Sequence, residues 1–207
     1  MIAYKFLRAG GVGPFSRYAW PLPGDGGAGA WVGSPGRPVL CHTAVHACRV
    51  RDLPWWLHDE LWEAELDGTI SAGRHKVMAP RARLLRRIEA WDAACAQRFA
   101  DACAERARDH AATALDRADA SALAADLRRA TTPRELRDTI RGARPPEEAR
   151  VAVTMAGDAA RRALGGAAVV TAYIAAHAAA RAGGPEAMTA ERAWQADWLR
   201  DALRLGS

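Results

Sequence analysis

The spacing of apolar residues along the chain changes near Arg87. Before that point the apolar residues fall in short segments, and residues 61–67 alternate, with Trp62, Ala64 and Leu66 on one face and Glu63 and Glu65 on the other. Alternation of this kind is typical of a strand with one buried face. A short helix is predicted over residues 52–57, with Asp52 as its N-cap. Strands are predicted over residues 3–8, 39–50, 61–67 and 76–88.

After Arg87 the apolar positions recur at the spacing of amphipathic helices, and a first helix is predicted over residues 88–117. Thr132, Pro133 and Glu135 form the signature of a capping box with proline at the first helical position, which indicates another helix start. Further helices are predicted up to residue 164, from there to the glycine pair at 183–184, and from about residue 189 to residue 205.

Together these patterns predict an α+β protein with two parts. The first part, residues 1–88, is a small mixed α+β head with a long loop over residues 10–38, where nine glycines and five prolines exclude a helix. The second part, residues 89–207, is an all-helical, alanine-rich body. Ligand sites favour junctions between lobes, so we expect a site where head and body meet. The helical body is also a candidate surface for a homodimer.

Composition is typical of a soluble, cytoplasmic globular protein. Half of the 207 residues are hydrophobic, which suffices for a core and excludes a disordered chain. Four cysteines are too few for a disulfide scaffold, and the first residues lack the apolar segment of a signal peptide. The uncharged stretch between Arg162 and Arg181 is mostly alanine. A buried helix is therefore expected there, and no membrane partner.

Positive charge is concentrated in the first part of the chain. The net charge is +5, and residues 1–88 account for all of it with 12 basic and 7 acidic side chains. Clustered basic residues are a feature of nucleic-acid binders, although a solvated strand face explains them equally simply, so nucleic acid is not the partner we expect. Lys5 and Lys76 are the only lysines beside 27 arginines, which indicates the codon bias of a GC-rich genome. The basic cluster consists of Arg74, Lys76, Arg81, Arg83, Arg86 and Arg87.

Residues 41–48 hold the densest group of reactive side chains, with two of the six histidines and two of the four cysteines. On a regular strand, His42, His46 and Cys48 share one face. These three residues are candidate ligands of a divalent metal ion as cofactor. The alternative is structural, with Cys48 as a small buried apolar residue and His46 as a hydrogen-bonded core residue.

The same segment supplies candidates for catalysis. A cysteine nucleophile needs a base within hydrogen-bond distance, and His46 precedes Cys48 by two positions on one strand face. Glu63 and Glu65 on the next predicted strand are candidate supporting carboxylates. His46, Cys48, Glu63 and Glu65 therefore form the set of candidate catalytic residues.

Several short motifs within residues 3–90 resemble an uncharacterised family of phage and actinobacterial proteins. They are Tyr4-Lys5-Phe6, Trp20, Cys41-x-x-Ala44-Val45-His46-Ala47-Cys48 and Leu61-Trp62-Glu63-x-Glu65-Leu66-x-Gly68. The family hallmark is Cys-x-x-Gly-x-His-Ala-Cys, and Ala44 stands where glycine is usual. The resemblance implies no established activity and points to the same residues. The order of Arg8 and Glu63-x-Glu65 also looks loosely like ADP-ribosyl-transfer domains, whose Ser-Thr-Ser strand is missing here.

Three classes of function follow from these observations. We favour an enzyme or a protein that binds a small-molecule ligand, with its site around His46 and Cys48. A protein–protein interaction module built from the tryptophans and helices is the first alternative. A nucleic-acid binder that uses the basic cluster, from Arg74 to Arg87, is the second alternative.

Overall fold

The chain has an α+β fold, as the sequence predicts, with 54% helix and 19% strand. The computed structural model describes residues 1–24, 27–33 and 44–206. Two compact units are present, one formed by Met1–Asp92 with Leu199–Ser207 and the other by Ala93–Trp198. The boundary predicted from the sequence lies at residue 88, and the sequence gives no sign that the last residues group with the first unit.

The first unit is built from short strands and one short helix. A 3-10 helix, Val50–Trp55, follows the third strand. All strand pairs are antiparallel, in a four-stranded sheet of order β1-β4-β7-β2 and a three-stranded sheet of order β3-β6-β5. The described strands are β1 (Ile2–Leu7), β2 (Val32–Gly33), β3 (Val45–Ala47), β4 (Glu60–Asp67), β5 (Ser71–Ala72), β6 (Val77–Ala79) and β7 (Arg81–Arg87).

One apolar cluster joins the two sheets of the first unit. It includes Leu7 from β1, Leu66 from β4 and Leu84 from β7, none of them more than 2% exposed, together with Val77 from β6. The alternation predicted for residues 61–67 is confirmed, because the apolar positions of β4 are buried and the acidic ones are partly exposed. The core face of β4 therefore follows directly from the period of two in the sequence.

Three predicted boundaries in the first unit need correction. The strand predicted over residues 76–88 is two strands, β6 and β7, separated by Pro80, which has no backbone N–H to donate to a ladder. Asp52 is not an N-cap: the helix begins at Val50, and the Asp52 carboxylate accepts a hydrogen bond from the Arg49 backbone N–H at 3.1 Å. Of the strand predicted over residues 39–50, the described part is β3, and residues 34–43 lie outside the described ranges.

The second unit is helical, as predicted. The capping box is confirmed at the start of α3, where Thr132 Oγ1 accepts from the Glu135 N–H at 3.2 Å. Gly184 has φ 79° and ψ −170° and breaks the last helix where the glycine pair predicted an end. Within the described ranges, no helix is long and apolar enough to cross a membrane. The helices are α1 (Ala93–Arg117), α2 (Ser121–Arg129), α3 (Pro133–Gly142), α4 (Glu147–Leu164) and α5 (Ala168–Leu203).

Candidate functional site

A cavity of about 580 Å³ lies in the first unit. Its described lining comes from β1, the loop after β1, the β3 segment and three further residues, Val32, Trp56 and Lys76. His46 and Cys48, both singled out from the sequence, line it. Ligand-binding cavities of proteins commonly have volumes of about 300–1,000 Å³. This cavity is therefore large enough for a small organic molecule.

Glu60 fixes the loop that forms one wall of the cavity. Its carboxylate is buried at the start of β4 and accepts hydrogen bonds from the backbone N–H groups of Gly10 and Gly11, at 3.0 and 3.1 Å. Gly11 has φ +72°, a conformation that favours glycine, and its carbonyl accepts from the Trp20 N–H at 3.0 Å. Trp62 Nε1 also donates to this carboxylate, at 3.0 Å. A carboxylate on β4 thus positions the cavity wall.

Lys5 places an ammonium group at the cavity from the middle of β1. Its neighbours two positions away, Ala3 and Leu7, belong to the apolar cluster, so Lys5 lies on the inward face of the strand. Lys5 Nζ donates to the His46 carbonyl oxygen at 2.6 Å and lies 4.8 Å from the centroid of the Trp20 ring. Burial lowers the pKa of Lys5 to about 8. Among the ion pairs of the described residues, none includes Lys5.

His46 presents a neutral imidazole to the cavity. It lies in the middle of β3, paired with Met78 of β6. Its Nε2 atom is buried and has no hydrogen-bond partner among the described residues. Burial, together with the charges of Lys76 and Lys5, lowers the pKa of His46, which keeps the ring uncharged at neutral pH. Buried polar atoms of proteins usually have a hydrogen-bond partner, so this nitrogen is an exception.

Cys48 lines the cavity but its environment disfavours a thiolate. The residue is 5% exposed, and burial raises the pKa of its thiol to about 12 although the charge of Lys5 opposes that shift. Among the hydrogen bonds of the described residues, none joins the thiol to the His46 ring. The backbone of Cys48 exchanges two hydrogen bonds with Tyr4, at 2.6 and 2.8 Å, and so links the β3 segment to β1. The backbone of Cys48 thus joins two segments that line the cavity, and a catalytic role of its thiol stays a prediction.

Glu63 and Glu65 lie apart from the cavity. Their β4 neighbours Trp62, Ala64 and Leu66 form part of the apolar cluster, so the two glutamates face the opposite side of the sheet. Each is paired with an arginine of β7. The Glu63–Arg86 distance is 2.5 Å and the Glu65–Arg83 distance is 2.7 Å. The structure therefore does not bring these carboxylates together with His46 and Cys48.

The proposed metal ligands are only partly within the described residues. His46 and Cys48 both line the cavity, whereas His42 and Cys41 lie outside the described ranges. Within the part of the chain that the structure describes, no group of three or more His, Cys, Asp or Glu side chains could hold a metal ion. A divalent metal bound by His42, His46 and Cys48 stays a prediction.

The basic cluster that suggested nucleic-acid binding is largely paired with carboxylates of β4. Arg81 pairs with Asp67 at 2.5 Å, and Arg87 lies 3.5 Å from Glu60. With the Arg83 and Arg86 pairs described above, four of its six members have acidic partners. The acidic partners lie on β4, about 20 residues earlier in the chain. For this reason the sequence shows the basic residues without acidic residues among them.

A second polar group, in the second unit, was missed by the sequence reasoning. Glu191 and Gln195 of the last helix are polar but fully buried. Glu191 Oε2 lies 2.9 Å from both Arg106 Nε and His110 Nε2, while Gln195 Nε2 donates to Glu191 Oε1 at 3.1 Å. Burial alone would raise the pKa of Glu191, but His110 and Arg106 outweigh it and lower that pKa.

The large apolar residues that remain exposed in the second unit bear on the interaction-module alternative. Val169, Val170 and Tyr173 lie within one turn near the start of α5 and are 37–52% exposed. Tyr173 also contacts His177, with 4.2 Å between the ring centroids. The exposed turn corrects the expectation of a fully buried alanine-rich helix, whose buried face is formed by its alanines. A homodimer through the helical body stays a prediction.

No family model, curated protein or solved structure matches this chain. The resemblance to phage and actinobacterial proteins therefore stays a prediction that rests on the motifs alone. A function for the first unit has to be inferred from the chemistry and the geometry of its cavity.

Proposed function

We propose that the first unit binds a small organic anion with an aromatic or apolar body in the cavity around His46. The observation that supports this most strongly is the distribution of lysine. Lys5 and Lys76 are the only lysines of the chain, and both line the cavity. Among the described lining residues there is no aspartate or glutamate. Such a lining favours a negatively charged ligand.

The partial burial of Lys5 supports an anionic ligand by a separate argument. An ammonium group that is partly removed from water loses hydration free energy unless a counter-charge or hydrogen bonds replace the water. The His46 carbonyl and the Trp20 ring compensate for part of this loss. A carboxylate, sulfonate or phosphate in the cavity would supply the counter-charge. Binding would then stabilise both the ligand and Lys5.

The remaining lining suggests the body of the ligand. Phe15, Trp20 and Trp56 supply aromatic surface, and Val45 supplies aliphatic surface. Phe15 is 84% exposed and packs edge-on against Trp56, with 6.1 Å between ring centroids. Aromatic walls with a few polar groups are typical of sites for planar organic molecules. The neutral His46 ring would provide one directional hydrogen bond.

The test compares two probes that differ in one group. 8-Anilinonaphthalene-1-sulfonate carries a sulfonate, and N-phenyl-1-naphthylamine has the same rings without it. Binding is measured by fluorescence titration at low ionic strength. We expect the sulfonate to bind more tightly, on the order of tenfold, because only it can pair with the lysines.

Single-residue variants identify where the probe binds. Lys5→Met and Lys76→Met should each reduce the preference for the sulfonate. Arg74→Met is the matched control, because Arg74 is an exposed cation two residues from Lys76 that is not among the described lining residues. Equal affinity of the two probes for the wild-type protein, or an Arg74→Met effect as large as that of Lys5→Met, would contradict the proposal.

A further inference from the structure

We propose that the cavity and its mouth bind single-stranded nucleic acid, with one nucleotide inside the cavity and its neighbours on the aromatic side chains around the mouth. The inference rests on the proposed function and deepens it, because it names the anion as a nucleotide and adds a surface outside the cavity. This surface is not the one that the sequence suggested for nucleic acid, since the arginines of β7 are paired with carboxylates of β4.

Aromatic side chains form a connected surface at the mouth of the cavity. Phe15 is 84% exposed, in a turn closed by the hydrogen bond from the Gly13 N–H to the Tyr18 carbonyl, and it contacts Trp56 edge-on. The Trp56 indole N–H donates to the His75 carbonyl. The His75 ring in turn stacks on Trp55, with 3.9 Å between centroids and 16° between planes. This surface, the aromatic rim, consists of Phe15, Tyr18, Trp55, Trp56 and His75.

Partly exposed rings of this kind are suited to stacking on nucleic-acid bases. Every base has a flat π-face, and stacking on an aromatic side chain raises affinity roughly 5- to 150-fold per base. Stacking does not depend on the identity of the base, so we expect little sequence preference. In a duplex the bases are already stacked on one another. The aromatic rim should therefore bind single strands and not duplexes.

Cations without acidic partners lie beside the aromatic rim. Arg17 is exposed in the same turn as Phe15, while Arg74 and Lys76 lie on either side of His75 in the sequence. Among the ion pairs of the described residues, none includes Arg17, Arg74 or Lys76. The phosphates of a strand can supply the missing counter-charges. Cations interleaved with aromatic rings are typical of sites for single-stranded nucleic acid.

The aromatic rim and the cavity are continuous. The members of the rim that also line the cavity are Phe15, Tyr18 and Trp56. A strand that lies on the rim can therefore place one of its nucleotides inside. There the phosphate would meet the two lysines of the lining. Base edges carry both donors and acceptors, and the buried Nε2 of His46 has no partner among the described residues.

The test uses an oligothymidylate of eight nucleotides with fluorescein at its 5′ end, and binding to the full chain is measured by fluorescence anisotropy at low ionic strength. The matched probe is an abasic strand with the same phosphates and no bases. We expect the oligothymidylate to bind more tightly, on the order of a hundredfold, because at least two bases stack. With three cations on phosphates, the logarithm of the affinity should fall with that of the salt concentration with a slope of about −2. Unlabelled oligothymidylate should displace the sulfonate probe from the cavity.

Single-residue variants locate the strand on the protein. Phe15→Ala should lower the affinity for the oligothymidylate on the order of tenfold, and Phe15→Trp should keep it. Leu22→Ala is the matched control, because Leu22 is 45% exposed in the same segment and is not among the described lining residues. Arg74→Met should make the salt slope shallower by about 0.7. The same variant should leave the affinity for the sulfonate probe unchanged, since Arg74 lies outside the described lining.

The outcomes distinguish this inference from the proposed function. If the sulfonate probe binds but the abasic strand or a duplex of 20 base pairs binds as tightly as the oligothymidylate, the mouth attracts any polyanion. The inference is then wrong and the anion site stands. Equal effects of Phe15→Ala and Leu22→Ala, or binding of the oligothymidylate without displacement of the sulfonate probe, would also overturn it. If neither the sulfonate probe nor the oligothymidylate binds, the proposed function fails together with the inference.

Discussion

Lys5 occupies a strand position that packing alone would give to an apolar residue. Ala3 and Leu7 on either side of it are buried, and Trp62 lies opposite it on β4. The charged form of the Lys5 amine is less stable in this position than in water, and its pKa is lowered for this reason. A residue that lowers stability at a cavity is better explained by ligand binding than by folding.

The first prediction is that Lys5→Met stabilises the protein at pH 7 while weakening anion binding. The pKa of Lys5 is about 8 in the folded chain, below its ordinary value of 10.5. The destabilisation is therefore complete below pH 8 and disappears as the pH rises towards 10.5, where both states are neutral. We expect a gain of about 1–3 kcal/mol in the free energy of unfolding at pH 7.

Urea unfolding of both proteins at pH 7, 9 and 10.5 checks this. The difference between them should shrink as the pH rises. Lys76→Met serves as the control at the other lysine of the cavity. A variant that is less stable than the wild type at pH 7, with a difference that does not depend on pH, would show that Lys5 is a structural residue.

At the residue scale, sequence reasoning found part of the site. His46 and Cys48 were identified because histidines and cysteines are rare and lie close together. Lys5 and Trp20 occur in the motifs of the resemblance but were not predicted to be site residues, because they reach the cavity through pairing between distant segments, such as Tyr4 with Cys48. The available signal was that the chain has only two lysines beside 27 arginines. The sequence analysis explained this ratio by the codon bias of the genome and not by a function of the two lysines.

At the scale of elements, the wall of the cavity depends on a carboxylate outside it. Glu60 is 6% exposed and holds the turn at Gly10 and Gly11. Burial alone would raise its pKa, but the hydrogen bonds from Gly10, Trp62 and Gly11 outweigh it and lower the pKa. The hydrogen bonds that the charged Glu60 carboxylate accepts from the loop therefore outweigh the cost of removing this carboxylate from water.

The second prediction is that Glu60→Gln destabilises the first unit and weakens binding of the sulfonate probe. Loss of hydrogen bonds to a charged group costs about 1.5–3 kcal/mol. Because the folded pKa lies below the ordinary value of 4.5, the contribution of Glu60 is present above pH 4.5 and is lost as the pH falls through the folded pKa. Thermal unfolding and fluorescence titration measure the two effects.

Glu65→Gln is the matched control on the same strand. Glu65 faces the other side of the sheet and is paired with Arg83 in a partly exposed position, where ion pairs contribute about 0–1 kcal/mol. Its removal should leave probe affinity unchanged. If Glu65→Gln and Glu60→Gln lower the affinity for the sulfonate probe equally, the wall of the cavity does not depend on the Glu60 carboxylate.

Elements with a clear period or cap were predictable, and those set by tertiary pairing were not. The alternation in β4 and the capping box of α3 are local signals, and both were confirmed. β2 and β5 are two residues long each, too short for any periodicity to show. The division of residues 76–88 at Pro80 was readable in principle, because proline interrupts a ladder.

At the scale of the whole chain, the change from short strands to helices near residue 88 indicated two parts. The structure assigns Leu199–Ser207 to the first unit, although the last helix is continuous in sequence across Trp198 and Leu199. The helical spacing of apolar residues continues through that position. It therefore does not indicate which of the two units a residue of this helix belongs to. Burial of Glu191 and Gln195 was equally invisible, because charged and amide side chains are usually exposed.

The third prediction concerns Glu191, whose fully buried carboxylate is held by Arg106, His110 and Gln195. Glu191→Ala removes the acceptor of the partly exposed Arg106 guanidinium and of the buried Gln195 amide. Leaving a buried polar group without its partner costs about 1–3 kcal/mol. The pKa of Glu191 is lowered in the folded chain, so its contribution is present above the ordinary value of 4.5 and is lost on acidification.

The same variant tests whether the cavity is a property of the first unit. All its described lining residues belong to that unit, whereas Glu191 belongs to the other. At a temperature where the variant is folded, we expect a lower unfolding midpoint in urea and an unchanged affinity for the sulfonate probe. Glu186→Ala, at an exposed glutamate of the same helix, should change neither quantity. An affinity that falls with Glu191→Ala but not with Glu186→Ala would mean that the binding site depends on residues beyond the first unit.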